Sequence, residues 1–271
     1  MNERGYKNLM KLTSLAYLEG FYYKPRIDKE TLKKYSEGLI VMSGCLKGEI
    51  PYHLLRNDYE TAYKVAKEYL EIFGPDRFYL EMMRLGFKEN DIVNAGLVKL
   101  SRDLGIPIVA TNDVHFIDRT DKEAHDALLA IQTNTYIDEA DRFRMESEEI
   151  YFKSPDEMVG LFSDHPEAIE NTLKIAEQCN LLIELDPVNA HLPSCELPEG
   201  FDTPSAYLEH LAWEGFRRRY PTGNKKAEER LKYELSVINK LNFASYFLII
   251  NDIVQSAKAM GVPVGPGRGS A

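Results

Sequence analysis

Three short apolar runs separated by two longer helical segments constrain the fold of this 271-residue chain more than any other feature. The runs lie at 38–44, 77–82 and 106–116, and the helical segments at 58–74 and 88–104. Short apolar runs between polar or glycine-containing ends are typical of buried strands, whereas apolar residues at a spacing of three to four indicate amphipathic helices. Because strand–helix–strand links favour parallel pairing, the sequence predicts an α/β layer or barrel.

The remaining segments read mainly as helices. Residues 154–179 begin with Ser154 and Pro155, a serine at the N-cap followed by a proline at the first helical position. A proline-punctuated stretch over 186–203 is interpreted as a linker between domains. The predicted organisation is therefore an α/β region over 1–185, the linker, and a mostly helical region over 204–271. The other predicted helices lie at 4–18, 121–133, 204–220, 224–241 and 245–260.

The charge balance argues against a free-standing nucleic-acid-binding protein. The chain has 43 acidic and 33 basic residues and a net charge of −10, whereas such proteins are usually basic. Any contact with DNA must use a local basic patch or depend on parts outside this sequence. The densest basic cluster is "FRRRYP" at 216–221, which either contacts a phosphate backbone or is the basic C-terminal turn of a helix.

The cysteines and the N-terminal sequence indicate the cellular compartment of the protein. Cys45, Cys179 and Cys195 are widely spaced and odd in number, which fits neither a zinc ribbon nor a disulfide framework. Isolated thiols fit a reducing cytoplasm, so we expect a cytoplasmic protein. The charged start of the chain and the lack of a long apolar window predict neither a signal peptide nor a membrane span.

The stretch "TNDVHF" at 111–116 is the strongest candidate for chemistry. Asp113 and His115 are two residues apart, which places both side chains on one face of an extended strand. They follow an apolar strand, and parallel-sheet enzymes place active groups at such strand ends. Carboxylate and imidazole are ordinary ligands of Zn²⁺, Mn²⁺ or Fe. The alternative is a helix-capping aspartate beside a solvent-facing histidine.

Two further residues end predicted strands. Cys45 follows "LIVMSG" and could meet Asp113 and His115 in one site, or it could be a small buried hydrophobe. Glu81 ends the strand "RFYLEM"; it could support the ligands of a site from behind, or it could be a helix-facing carboxylate, which is the favoured interpretation. The histidines at 53, 125, 165 and 210 lack partner spacing, and "AHDALL" at 124–129 is interpreted as a helix surface.

The stretch "GVPVGPGRGSA" at 261–271 reads as a short strand, Val262 to Val264, followed by a glycine-rich loop. Such loops bind phosphates because glycine lets backbone N–H groups approach an anion. The loop is not a Walker motif, since it lacks the Gly-Lys-Ser/Thr ending. Arg268 can donate to phosphate oxygens through its planar guanidinium, and the Gly269 and Ser270 amides can add donors.

Several of these motifs together resemble the family of α (catalytic) subunits of bacterial replicative DNA polymerase III. The resemblance runs in register over essentially the whole chain. The motifs that carry it are "GYKNLMKLTS" (5–14), "GFYYKPRID" (20–28), "SGCLKGEI" (43–50), "VATNDVHF" (109–116), "YFLIINDIVQSAK" (246–258) and "GVPVGPGRGSA" (261–271).

The resemblance implies that residues 1–185 are the C-terminal part of a PHP (polymerase and histidinol phosphatase) domain. That domain is a distorted, TIM-like, seven-stranded barrel, which would be incomplete here. In many relatives it binds Zn²⁺ or Mn²⁺ through a set of nine ligands and acts as a 3′→5′ exonuclease. The resemblance assigns Cys45, Asp113 and His115 to three of these ligands, and places the other six upstream of "GYKNL".

The resemblance implies that residues 204–271 are the start of a palm domain of the polymerase β type. Its Gly-Ser motif contacts the triphosphate of the incoming dNTP, which assigns Arg268, Gly269 and Ser270 to substrate binding. In the family, aspartates that follow this motif in the sequence hold two Mg²⁺ ions. These ions activate the primer 3′-OH for attack on the α-phosphorus of the dNTP. The implied partners are primer-template DNA, dNTPs, the sliding clamp and other replisome subunits, with no membrane.

We therefore expect a fragment of a DNA-directed DNA polymerase that is inactive by itself. Two alternatives stay open at this point. The chain could act as a PHP-type metal-dependent phosphoesterase or exonuclease, or it could be a non-catalytic structural remnant whose barrel only supports the palm.

Overall fold

The computed structural model describes residues 1–183, 185, 193, 195–265 and 267. Contacts divide the chain into two compact units, Met1–Leu182 and Ile183–Ala271, and each is described by itself. The first unit contains strands β1 (Val41–Met42), β2 (Phe78–Met83) and β3 (Ile108–Thr111), and helices α1 (Glu3–Leu18), α2 (Lys29–Lys34), α3 (Glu49–Leu54), α4 (Tyr59–Phe73), α5 (Lys88–Leu104), α6 (Lys122–Thr133), α7 (Pro155–Leu161) and α8 (Pro166–Gln178).

The strands of the described residues form one parallel sheet in the order β1-β2-β3. Val41 pairs with Phe78, and Leu80 pairs with Ile108. Helices α3 and α4 connect β1 to β2, and α5 connects β2 to β3, because parallel neighbours need a long crossover. The predicted parallel α/β layer is confirmed. The seven-stranded barrel is not confirmed, since the described sheet has three strands.

The core of the first unit lies between this sheet and the helices that pack on it. It contains seventeen buried apolar residues, and α8 adds a polar contact through Asn171, whose side-chain amide donates to the Ile108 carbonyl at 2.7 Å. This contact satisfies a backbone acceptor on β3, an edge strand of the described sheet. The largest fully buried side chains of the first unit are Phe73, Phe78, Phe162, Ile50, Leu80, Met82, Leu97, Leu100, Ile106 and Val109.

Local sequence signals set the ends of several helices. Ser154 caps α7 as predicted, and Glu157 completes a reciprocal capping box with it. Gly74 caps the C-terminal end of helix α4, and its φ of 78° is accessible to glycine at little cost. The predicted helix over 88–104 matches α5 at both ends.

Several predicted boundaries were wrong. The strands are shorter than the apolar runs: β1 covers two residues of 38–44, and β3 covers four residues of 106–116. The predicted helix over 154–179 is two helices, α7 and α8, because Pro166 starts a new helix and cannot continue the previous one. Helices α2 and α3 were not predicted, since six residues are too few to show a helical period.

The second unit contains helices α9 (Pro204–Arg219), α10 (Lys225–Lys240) and α11 (Ala244–Ala259), close to the predicted bounds. Thr203 and Asn224 accept backbone hydrogen bonds as N-caps of α9 and α10. Helix α9 packs against α10 and α11. The predicted strand Val262 to Val264 is wrong, since these residues are in neither helix nor strand. No helix in the described ranges is long and apolar enough to span a bilayer.

Candidate functional site

The carboxyl ends of β1, β2 and β3 carry the candidate residues of the first unit. Because the strands are parallel and adjacent, these ends lie at one edge of the sheet. Cys45 follows β1, Glu81 lies within β2, and Asp113 and His115 follow β3. Cys45, Asp113 and His115 thus lie just past strand ends, as the sequence predicts, whereas the prediction that Glu81 ends its strand was wrong, because β2 continues to Met83.

Glu81 links all three strands at this edge. Its Oε1 accepts from the Thr111 hydroxyl at 2.7 Å, and its Oε2 accepts from the Gly44 N–H at 3.0 Å. The Glu81 backbone N–H donates to the Ser43 hydroxyl at 2.8 Å. Both carboxylate oxygens are thus engaged by the residues that precede Cys45 and Asp113. The interpretation of Glu81 as a helix-facing carboxylate was wrong: it fixes the strand ends that position the candidate ligands.

Asp113 and His115 lie in contact, as their spacing predicts. The His115 Nε2 atom is 3.3 Å from Asp113 Oδ1, with 29 % of the imidazole side chain and 44 % of the carboxylate side chain exposed. Both groups are therefore accessible to solvent. Together they offer one carboxylate and one imidazole to a cation.

The segment that follows β3 is held by residues 150–153. The His115 N–H donates to the Ile150 carbonyl at 2.8 Å, and Phe116 forms a parallel bridge with Tyr151. The Asn112 amide donates to the Tyr151 carbonyl at 2.6 Å. These contacts give the Asp113–His115 pair a defined backbone path outside regular secondary structure.

Lys153 lies buried beside this segment. Its ammonium donates to Asn112 Oδ1 at 3.3 Å and lies 4.4 Å from the centre of the Tyr151 ring. Burial lowers the pKa of Lys153, and Glu149 opposes this effect through a 3.4 Å ion pair. This contact helps to fix Asn112, the residue before Asp113. No spacing in the sequence indicated this role for Lys153.

His125 lies nearer to the site than its sequence context suggested. It is on α6, as predicted, but its ring centre is 5.6 Å from that of His115 and 5.5 Å from that of Phe116. The interpretation of 124–129 as a plain helix surface was therefore incomplete. The other histidines called partnerless also have acidic neighbours: His53 contacts Asp58 at 3.2 Å, and His165 contacts Glu167 at 3.1 Å.

The described residues do not form a complete metal site. In the part of the chain that the structure describes, no three His, Cys, Asp or Glu side chains are grouped so that they could hold an ion. Asp113 and His115 form a pair, and the exposed Cys45 does not join them in such a group. A bound metal ion would need ligands beyond those brought together here.

The triphosphate-binding candidates Arg268, Gly269 and Ser270 lie outside the described residues. The chain before them is described to Gly265, with Gly267 also described. The sequence interpretation of this loop stays a prediction.

Comparison with known proteins relates the chain to one kind of polymerase subunit. It is 49 % identical over 269 residues to "DNA polymerase III subunit alpha" of Borreliella burgdorferi, and 41 % identical over 269 residues to the same subunit of Treponema pallidum. Each alignment covers 99 % of this chain and 23 % of the relative. The subunit of Aquifex aeolicus is 40 % identical over 281 residues, which cover the whole chain and 24 % of the relative.

Two domain families match within the chain. Residues 1–85 match the PHP domain, and residues 206–271 match the bacterial DNA polymerase III alpha NTPase domain. The chain spans about a quarter of the length of the curated relatives it matches. Along its whole length, the chain is thus homologous to one segment of bacterial DNA polymerase III alpha subunits.

Proposed function

We propose that this chain serves template-directed DNA synthesis as a segment of a DNA polymerase III alpha subunit. The observation that carries the proposal is alignment of essentially the whole chain, at 40–49 % identity, with alpha subunits of three bacteria. We assign residues 1–185 to the PHP domain, 186–203 to a linker and 204–271 to the start of the palm. The seven-stranded barrel is the proposed architecture of the complete PHP domain.

We propose that Arg268, Gly269 and Ser270 bind the dNTP triphosphate. The guanidinium can donate two parallel hydrogen bonds to phosphate oxygens, and the backbone amides of a glycine-rich loop can approach the same anion. These residues would bind and orient the substrate. Mg²⁺ would supply charge stabilisation at the reacting phosphate, and we assign none of its ligands to this chain.

The proposed partners are those that the resemblance to the alpha-subunit family implies. They are primer-template DNA, dNTPs, and the sliding clamp and other replisome subunits, in the cytoplasm. The chain covers 23 % of its Borreliella relative, so we expect no primer extension by the 271-residue chain alone.

A chimeric subunit tests the proposal. The matching segment of the Borreliella alpha subunit is replaced by this chain, and primer extension by the purified chimera is measured. We expect extension within about tenfold of the parent, and a loss of at least tenfold when Arg268 is changed to alanine, because a charge-assisted bidentate contact to phosphate is lost. A folded chimera that extends no primer would contradict the proposal.

We propose as a second function that Asp113 and His115, together with Cys45, contribute Zn²⁺ or Mn²⁺ ligands to a PHP-type 3′→5′ exonuclease. The 3.3 Å contact between Asp113 and His115 at the sheet edge favours this role. In the same chimera, Asp113→Asn and His115→Gln should lower bound metal and 3′→5′ degradation while leaving primer extension. A chimera that contains no metal and degrades no DNA would instead support the purely structural role of the barrel.

A further inference from the structure

The turn between α9 and α10 concentrates positive charge in an acidic chain. Residues 215–227 contain five Lys or Arg residues and no Asp or Glu, whereas the whole chain has a net charge of −10. The five cations are exposed and lie at the end of α9 and the start of α10. We call residues 216–226 the basic turn. Its cations are Arg217, Arg218, Arg219, Lys225 and Lys226.

Two of the neighbouring carboxylates pair with other cations. Glu228 pairs with Lys232 at 2.6 Å, and Glu234 pairs with Arg230 at 2.7 Å. Among the described residues, none of the basic turn's five cationic side chains forms an ion pair or a side-chain hydrogen bond within the protein. Their charges are therefore available to an external anion.

Helix electrostatics explain only half of this arrangement. The three arginines lie in the last turn of α9, where the helix dipole favours positive charge. Lys225 and Lys226 lie in the first turn of α10, where the same dipole disfavours positive charge. Cations on both sides of one short turn repel each other and raise the local potential, which suits binding of a polyanion.

Aromatic rings lie among the charges. Tyr220 is 40 % exposed in the basic turn, and its ring centre is 5.2 Å from that of Phe216. Phe216 in turn contacts Trp213 edge to face at 5.5 Å between ring centres. The Tyr220 ring therefore packs on Phe216, which packs on Trp213. Phe216 and Tyr220 also line an open cleft of about 270 Å³ between α9 and α10, which Arg219 and Arg230 border. Exposed rings beside cations form a surface on which unstacked bases can lie while phosphates meet the cations.

We propose that the basic turn binds single-stranded DNA, with its five cations on the phosphates and Tyr220 stacked on a base. The choice of DNA as the polyanion rests on the proposed function, whereas the charge and ring geometry do not. A duplex is the poorer fit, because its bases are already stacked on each other and cannot meet the Tyr220 ring.

The test measures binding of a fluorescently labelled oligothymidylate to the 271-residue chain by anisotropy over a salt series. One variant carries R217Q, R218Q, R219Q, K225Q and K226Q. We expect at least tenfold weaker binding than by the unmodified chain. We also expect a shallower dependence of log Kd on log salt, by about 3.5 if all five contacts are lost, since each phosphate contact on a single strand contributes about 0.7.

A matched control makes the same charge change elsewhere. Lys11, Lys33, Lys34, Lys64 and Lys67 are exposed on α1, α2 and α4, and their joint change to glutamine should leave Kd within about threefold. Y220L should weaken binding about tenfold without changing the salt slope, because it removes stacking and no charge. Circular dichroism verifies that each variant keeps its helices.

Three outcomes would overturn the inference. The first is no DNA binding by the unmodified chain at low salt, and the second is an equal loss of DNA affinity in the two quintuple variants. The third is that the chain binds duplex as tightly as single strands and that Y220L leaves Kd unchanged. In each case primer extension by the chimera described above remains a separate readout. An active chimera with a neutralised basic turn and unchanged DNA affinity would reject this surface and keep the proposed function.

Discussion

The Glu81 side chain makes hydrogen bonds to both neighbouring strand ends at the sheet edge. Its carboxylate accepts from Thr111 and Gly44, so it joins the ends of β1 and β3 through β2. Glu81→Ala should lower the free energy of unfolding by about 2–3 kcal/mol, because two donors lose a charged acceptor. Urea unfolding followed by circular dichroism measures the change.

Glu81→Gln is the matched variant for this position. Glutamine keeps one acceptor oxygen and the side-chain length, so the loss should be about half that of the alanine variant. Equal stabilities of Glu81→Ala and the unmodified chain would show that the hydrogen bonds to Thr111 and Gly44 contribute nothing net.

Glu157 makes stability depend on pH in the acid range. The hydrogen bond from the Tyr151 hydroxyl at 2.6 Å, followed by that from the Ser154 N–H, lowers the pKa of Glu157 to about 2 from its ordinary 4.5. A carboxyl whose pKa is lower in the folded state stabilises the fold above its unfolded pKa and loses this effect as pH falls through its folded pKa. The contribution of Glu157 should therefore be full above about pH 5 and decline towards pH 2.

Urea unfolding of Glu157→Gln between pH 7 and pH 2.5 checks this expectation. The stability gap between this variant and the unmodified chain should shrink as the pH falls. Glu170→Gln is the control, since Glu170 is exposed on α8 and forms no side-chain hydrogen bond or ion pair in the described part of the chain. A gap that stays constant with pH for Glu157→Gln would contradict the assignment.

At the scale of elements, α1 depends on one close backbone contact. A Cβ placed on Gly5 would lie 2.0 Å from the carbonyl oxygen of Gly38, whose own φ is +76°. Gly5→Ala should therefore displace α1 and lower the free energy of unfolding by about 1–3 kcal/mol, as overpacking does. Thermal and urea unfolding both report this change.

Gly160 offers the control within another helix. A Cβ on Gly160 in α7 meets nothing within 4 Å. Gly160→Ala should raise stability by up to about 1 kcal/mol, because alanine has the higher helix propensity. A destabilisation of equal size in both variants would exclude the close contact as the cause.

The elements were predictable where a period or a cap was long enough to identify. The α5 pattern matched at both ends, and Ser154 and Pro155 fixed the start of α7. Helices α2 and α3 were missed because six residues complete fewer than two turns. In the site, the two-residue spacing predicted the Asp113–His115 contact. The role of Glu81 depends on which residues the sheet register places opposite each other, and the sequence does not state that register.

At the scale of the whole molecule, the two units differ in how much they bury. A cluster of seventeen buried apolar residues holds the first unit, whereas Leu235, Ala244 and Leu248 are the buried apolar residues among those described in the second. Buried apolar area is the main source of stability, so the second unit should unfold at lower urea concentration.

The single tryptophan allows this difference to be measured. Trp213 lies on α9, so its fluorescence reports the second unit, while circular dichroism reports helices of both. We expect the fluorescence midpoint to lie below the midpoint of the circular dichroism transition. Coincident transitions would mean that the two units unfold as one cooperative body.

The contact of Asn171 with β3 has a consequence for synthesis on the ribosome. The strands emerge in the order in which they pair, but Asn171 follows Thr111, the last residue of β3, by about sixty residues. At 5–20 residues per second, the nascent chain exposes the outer edge of β3 for about 3–12 seconds before α8 can cover it. An open strand edge pairs readily with other chains. Codons that slow translation between β3 and α8 would lengthen this interval and favour aggregation.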